Sequence, residues 1–141
     1  MRIITLTCNG LRSAERRGFS AWLAEARPDV LLLQEVRADA TSLDAALLSP
    51  PGWQVCWNFA EKKGYAGTAV WVRDGLDGVA SVDFTVGSGH PRGDAEGRVV
   101  GAQLRWRDGG TLDAWSVYLP SGSSGPERQE WKFAYLDHFV P

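Results

Sequence analysis

The stretch "YLPSGSSGPERQEWKF", residues 118–133, admits two readings, and the choice between them decides how many domains the chain has. By composition the run from Ser121 to Gly125 is a flexible linker of the kind that separates two domains. By position it lies between a strand-like run ending at Tyr118 and a helix-like run starting at Pro126, a residue well placed at the first position of a helix. A connection that short need not be a linker. If it is a fixed turn, Tyr118 stands at the mouth of a site.

The segments upstream of Tyr118 favour a single fold. Residues 98–106 and 111–118 read as two strands joined by Asp108-Gly109-Gly110, a strong hairpin signal. Residues 79–86 form a further strand candidate, followed by an aperiodic Gly/His/Pro/Asp segment. "TAVWVR" at 68–73 reads as a strand entered from the loop "EKKGYAG". Before that loop, Trp53, Val55, Trp57 and Phe59 alternate with Gln54, Cys56 and Asn58, the period of a half-buried strand. A short helix fits residues 41–48, closed by Pro50 and Pro51.

At the start of the chain, residues 3–8 read as a buried opening strand that Asn9-Gly10 ends with turn chemistry. Ser13 as N-cap, Glu15 in the first turn, and Phe19, Trp22, Leu23 and Ala26 at helical spacing predict one amphipathic helix before Pro28. "VLLLQEV" at 30–36 is a continuous apolar run, as in a strand covered on both faces. Strand, helix, strand predicts a crossover with the two strands parallel. The whole order predicts an α+β sandwich.

The totals agree. At 141 residues, 44% hydrophobic and 23% charged, the chain has room for one globular domain. No apolar stretch is long enough to cross a membrane, and the first residues lack a signal-peptide core, so the expectation is a cytoplasmic protein with no membrane partner. Cys8 and Cys56 have no CxxC or His spacing around them and read as reduced apolar residues. A net charge of −2 argues against broad non-specific binding to nucleic acid or lipid, yet leaves local basic clusters at Arg12, Arg16 and Arg17 and at Lys62 and Lys63. Seven Trp imply large side chains wedged between layers.

Candidate chemistry gathers at strand ends. Glu35 leaves a buried strand at its C-terminal end, and Asn9 leaves the first strand at the same edge, where crossover sheets collect ligands. An acid and an amide there suit a hard cation such as Mg²⁺; alternatively, Glu35 is a solvated carboxylate where a strand exits the core. Tyr118 ends its strand in the same way, either as a phenol donating to a phosphate oxygen or as an amphipathic rim residue. "KKGYAG", with Lys63 and Tyr65, is either a nucleic-acid groove reader or a solvated hairpin tip. His90 and His138 have no partners at ligand or triad spacing.

Taken together, "NGLRS" (9–13), "PDVLLLQEV" (28–36), "KKGYAGTAVW" (62–71), "DAEGRVV" (94–100) and the stretch quoted first resemble the exodeoxyribonuclease III family of abasic-site endonucleases, within the endonuclease/exonuclease/phosphatase superfamily. The resemblance implies a four-layer αββα sandwich of the DNase-I-like type, of which residues 1–141 supply about the first half. It also implies hydrolysis of DNA phosphodiesters with Mg²⁺ (Mn²⁺ being possible), on double-stranded DNA with abasic sites or 3′ ends, by a monomer when full length. By the same resemblance Glu35 and Asn9 build the metal site, Glu35 and Tyr118 are catalytic, and Arg12, Ser13, Lys63, Tyr65, Arg98 and Ser121 face or support the DNA. Some bacterial members of the family carry this same Ser/Gly loop after the Tyr, so the resemblance implies an active-site turn and not a linker.

Two departures shape the expectation. Thr7 stands where the family usually has Asn, and its hydroxyl is a poorer metal ligand. The family's Asp-x-Asn motif and late Asp-His pair have no equivalent here, so the 141-residue chain is expected to be inactive and unstable by itself. The rival readings are a non-catalytic DNA- or partner-binding remnant, and a phosphoinositide or sphingolipid phosphodiesterase of the same superfamily.

Overall fold

The most apolar run of the chain becomes a strand covered by both neighbouring layers. In this computed structural model, which describes residues 1–140, β2 (Val30–Gln34) is buried on both faces. It pairs parallel with β1 (Ile3–Thr7) and antiparallel with β4 (Thr68–Arg73), and β4 pairs in turn with β3 (Trp53–Asn58). A second sheet is the meander of β5 (Val79–Val86), β6 (Val99–Trp106) and β7 (Thr111–Val117), its last hairpin closed over residues 107–110 as the glycines require.

The side-chain period of two sorts these strands into layers. Val30, Val70 and Val72 project from the first sheet onto Val100, Ala102, Leu104 and Ala114 of the second. On the other face of the first sheet, Leu31, Leu33, Ala69 and Trp71 pack under α1 (Leu11–Arg16), α2 (Phe19–Ala26) and α3 (Ala45–Leu48). Trp71 anchors this layer, with the rings of Phe19, Trp53 and Trp57 edge-on at 5.7–6.0 Å. Outside the second sheet, past the short α4 (Pro91–Ala95), α5 (Pro126–Asp137) seats Trp131 and Tyr135 against Val99 and Val117. The order helix, sheet, sheet, helix is the αββα sandwich the sequence predicts.

Several local expectations are corrected. The single helix before Pro28 is two, because Gly18 takes φ +96°, and the Arg17 and Gly18 amides close α1 on Ala14 and Glu15. Ser13 is not the N-cap; α1 starts two residues earlier, after Gly10, and Ser13 Oγ accepts from Arg17 Nη1 at 2.9 Å. Glu15 serves the next helix, accepting from the Ser20 amide and hydroxyl at 3.1 and 2.8 Å. The helix expected over 41–48 shrinks to its last turn, since Asp39 draws the Thr41 amide and hydroxyl into a local turn. α4 falls in the segment that carries no period. β1 is not buried as expected: it is a sheet edge, and Ile3 is 44% exposed.

The Ser/Gly run is a docked turn. Pro120 is buried, a Cβ on Gly122 would lie 1.9 Å from Gln129 Oε1, and α5 packs onto the sheet that β7 has just left. That packing ties the segment after the turn to the same core as the segment before it. Among the described residues no helix is long and apolar enough to cross a membrane.

Candidate active site

The strand ends of β1, β2 and β7 meet at one pole. β1 and β2 run parallel, so Asn9 and Glu35 leave side by side, joined by Cys8 N–H to Gln34 O (3.0 Å) and Gly10 N–H to Glu35 O (2.8 Å). Both residues turn sharply, with φ +48° at Asn9 and +53° at Glu35, a left-handed conformation that costs a non-glycine residue about 1–3 kcal/mol. The turn swings the Glu35 carboxylate out of the strand line, so that it meets Tyr118 across the gap between the sheets. Tyr118 Oη donates to Glu35 Oε1 at 2.6 Å, and Arg37 Nη2 pairs with Oε2 at 3.0 Å.

Beneath this pair runs a polar ladder that registers the two sheets. Thr5 and Thr7 hydroxyls donate to Gln34 Oε1 at 3.2 and 3.3 Å, Gln34 Nε2 donates to Ser116 Oγ at 2.9 Å, and Ser116 Oγ donates to Leu33 O at 2.7 Å. Thr7 therefore spends its hydroxyl on Gln34. Gln34 and Ser116 are both buried, and this pairing satisfies polar groups that would otherwise be stranded between apolar sheets.

Arg98 fixes the tyrosines from below. Its guanidinium donates to Glu96 Oε2 (2.6 Å), Tyr118 O (3.0 Å) and Tyr65 Oη (3.2 Å), and lies 5.1 Å from the centre of the Tyr118 ring. The Tyr118 amide returns a bond to Arg98 O at 2.9 Å. With 1% of its surface exposed, Arg98 lies in the interior beneath this pole. Arg128, from the first turns of α5, reaches the same Tyr65 oxygen at 3.3 Å, and Lys62 Nζ sits 5.3 Å from the Tyr65 ring centre.

The other expected residues lie at or near the surface. Arg12 lies exposed on α1, Lys63 on the loop before Tyr65, and Ser121 on the turn after Tyr118. Ser13 is half-buried and engaged with Arg17. Sequence reading missed Arg37, Glu96 and Arg128. The first two lie two residues from Glu35 and Arg98, a spacing that brings charges together only because the backbone turns there. Arg128 carried no sequence signal.

Burial first, and then the hydrogen bond to Glu35, push the Tyr118 phenol from 10 up to about 12. At neutral pH it is a proton donor. The sign of the linkage follows: a group whose pKa is raised by folding stabilises the fold fully below pH 10, and that contribution is lost as pH rises toward about 12. Buried Cys8 acts in the same sense from 9 to about 11, so the comparison is best made in a Cys8→Ala background. Denaturant unfolding is expected to show stability falling between pH 10 and about 12, with a shallower fall in Tyr118→Phe. Equal slopes in both proteins would show that Tyr118 is not held by Glu35 in solution.

The profile of the Endonuclease/Exonuclease/phosphatase family matches residues 7–140. The chain is 31% identical over 145 residues to an exodeoxyribonuclease of Bacillus subtilis (strain 168), a match covering 99% of this chain and 52% of that protein. It is 30% identical over 138 residues to a DNA-(apurinic or apyrimidinic site) endonuclease of Dictyostelium discoideum, covering 97% of this chain and 35% of that one. Among solved structures it resembles the AP endonuclease LMAP of Leishmania major, with a TM-score of 0.79 and 26% identity over 96% of this chain and 45% of the other. The chain thus spans about half the length of the Bacillus relative and less of the Dictyostelium one.

Proposed function

Because the chain belongs to the Endonuclease/Exonuclease/phosphatase family, we propose that the pole of Glu35, Asn9 and Tyr118 is one part of a site that hydrolyses DNA phosphodiesters beside abasic sites or at 3′ ends. The observation that carries this reading is the 2.6 Å bond from Tyr118 to Glu35, made across two sheets at their common strand ends. The donor set fits a hard divalent cation: one partly exposed carboxylate and one exposed amide, both oxygen ligands, are what Mg²⁺ takes from a protein when phosphate and water complete its shell. Glu35 and Asn9 would hold Mg²⁺, or Mn²⁺ in its place. Bound there, the ion supplies Lewis-acid charge at a phosphoryl oxygen.

The chain's own residues do the rest of what this half can do. Tyr118, protonated at neutral pH, donates to a non-bridging phosphate oxygen once its proton turns from Glu35. Arg98 and Tyr65 keep its ring in place for that donation. Arg12, Lys62, Lys63 and Ser121 supply the outer contacts that track a duplex backbone.

A base for the attacking water is not among these groups. His90 and His138 meet edge to face at 5.3 Å, and they bond to the Gly93 amide and the Ser88 carbonyl respectively. Among the described residues no group of three or more His, Cys, Asp or Glu side chains is arranged to hold a metal ion. We therefore read residues 1–141 as part of a single cytoplasmic endonuclease/exonuclease/phosphatase domain, inactive alone, that works as a monomer when complete.

Arg37 competes with any cation for Glu35. Its side chain is 48% exposed, and an exposed pair of this kind is worth about 0–1 kcal/mol. Arg37→Gln is therefore expected to tighten Mn²⁺ binding by no more than about fivefold in a calorimetric titration. Weaker binding in the variant would mean that Arg37 orients the carboxylate and does not oppose the ion.

A further inference from the structure

Among the described residues five that are not glycine take a left-handed backbone, and four of them, Asn9, Glu35, Arg37 and Ala66, gather at the pole of the candidate site. The fifth, Arg27, closes α2, where a helix commonly ends in this conformation. At Arg37, with φ +49°, the strain has no return inside the fold. Its amide donates to Ala66 O at 2.8 Å, a bond that glycine would make as well and without strain. Its ion pair to Glu35 leaves the side chain 48% exposed, and such a pair returns less than a left-handed turn costs. A large side chain held there by its neighbours points to a use outside the fold.

The manner in which Glu35 is held points to that use. Tyr118 Oη donates to Oε1 at 2.6 Å and Arg37 Nη2 to Oε2 at 3.0 Å, so a phenol and a guanidinium grip the two oxygens of one anion. Arg37 is also felt at the phenol itself: burial raises the Tyr118 pKa most, and the Arg98 and Arg37 charges pull against it. A phosphodiester presents the same kind of acceptor pair, two non-bridging oxygens on one atom sharing one negative charge. Guanidinium recognises carboxylate and phosphate alike through its planar fork.

We propose that Arg37 is a substrate-binding residue that changes partner, an assignment that rests on reading this pole as a phosphodiester site. It pairs with Glu35 while no cation is bound, and with a non-bridging oxygen of the phosphodiester once Glu35 holds one. Charge sets the direction of the exchange. Paired, Glu35 and Arg37 are neutral together and offer an incoming phosphate no net attraction. With the carboxylate committed to a divalent cation, Arg37 faces positive charge where it faced negative, and the anion beside Tyr118 becomes its favourable partner. The backbone need not follow, because Ala66 fixes the Arg37 amide and the neighbouring Val36 is fully buried, its amide on Gly67 O at 3.1 Å. Tyr118 and Arg37, which hold the carboxylate together, then hold the phosphodiester together.

The test is duplex binding, read by fluorescence anisotropy, with residues 1–141 carried in a chain of the relatives' length. The probe is a duplex with one abasic site, whose target linkage has a methylene group in place of the bridging oxygen that would leave; its charge is kept and it cannot be cut. The parent, Arg37→Gln, Glu35→Gln and the double variant are compared in Mg²⁺ and in EDTA at matched ionic strength. In Mg²⁺, Arg37→Gln is expected to weaken binding about tenfold, the loss of one charge-assisted contact, and to lower the salt slope by about one. In EDTA, where Glu35 occupies Arg37, the same substitution should cost no more than about threefold. In the Glu35→Gln background Arg37 is free without any cation, so its removal should cost about tenfold in EDTA as well. Equal losses in Mg²⁺ and in EDTA with Glu35 present overturn the exchange, and so does a loss under about threefold in Mg²⁺. A parent chain whose affinity Mg²⁺ leaves unchanged overturns the phosphodiester reading and this assignment with it, which tells the two failures apart.

Discussion

Glu35→Gln is expected to lower metal-dependent phosphodiester hydrolysis at least about a hundredfold in a protein that carries these residues at full family length. The substitution keeps the side chain's shape, and its amide oxygen can still accept from Tyr118. What it removes is the negative charge of the carboxylate that Tyr118 and Arg37 contact and that is proposed to hold the cation. Partners that merely orient a metal ligand are worth about 10–100-fold, so removing a ligand's charge belongs at or above the top of that range. The expected pattern is a loss in kcat together with weaker Mg²⁺ activation, while duplex binding through the basic rim is retained. A variant that cuts within about threefold of the parent would remove Glu35 from the site.

Arg98→Met should have the largest effect on stability, about 3 kcal/mol in denaturant unfolding. Arg98 is almost wholly buried and serves three acceptors on three segments: Glu96, the Tyr118 carbonyl and the Tyr65 hydroxyl. Removing one partner of a buried pair costs about 3–5 kcal/mol, mostly because the other charge stays behind without compensation. The low end applies here, since Glu96 keeps Arg92 at 3.2 Å and some contact with solvent. Arg98→Lys keeps the charge but loses the planar fork, and should recover only part of the loss. A change below about 1 kcal/mol would show that the guanidinium network is not formed as described.

The legible part of the fold was the part written in periods. The apolar run of β2, the alternation of β3 and the Asp-Gly-Gly hairpin between β6 and β7 each have one physical solution, and the structure adopts them. Helix ends were less legible because capping is decided by competition. Ser13 is as good an N-cap as the sequence offers, but the bend at Gly10 starts α1 before it, so Ser13 lies inside the helix it could have capped. β1 looked buried because its composition is apolar; whether a strand has neighbours on both sides is a property of the sheet and not of the strand.

The site divides in the same way. Asn9, Glu35 and Tyr118 could be placed from strand ends alone, since each lies within two residues of the end of a β run, and the structure brings Glu35 and Tyr118 into contact and sets Asn9 beside them. Arg98 was legible as a member of the constellation but not as a buried one, because a charge at the start of a strand gives no hint that three acceptors wait for it inside. Arg37 and Arg128 depend on a left-handed turn and on where α5 docks, and neither is encoded locally.

The most direct test of the central proposal is incision of a duplex bearing one abasic site, with Mg²⁺ titrated. Residues 1–141 alone are compared with the same residues carried in a chain of the relatives' length, each also as Glu35→Gln. The expected result is cutting by the longer chain only, dependent on Mg²⁺ and lost in the variant. Mg²⁺-dependent cutting by residues 1–141 alone, or undiminished cutting by the long Glu35→Gln chain, would contradict it.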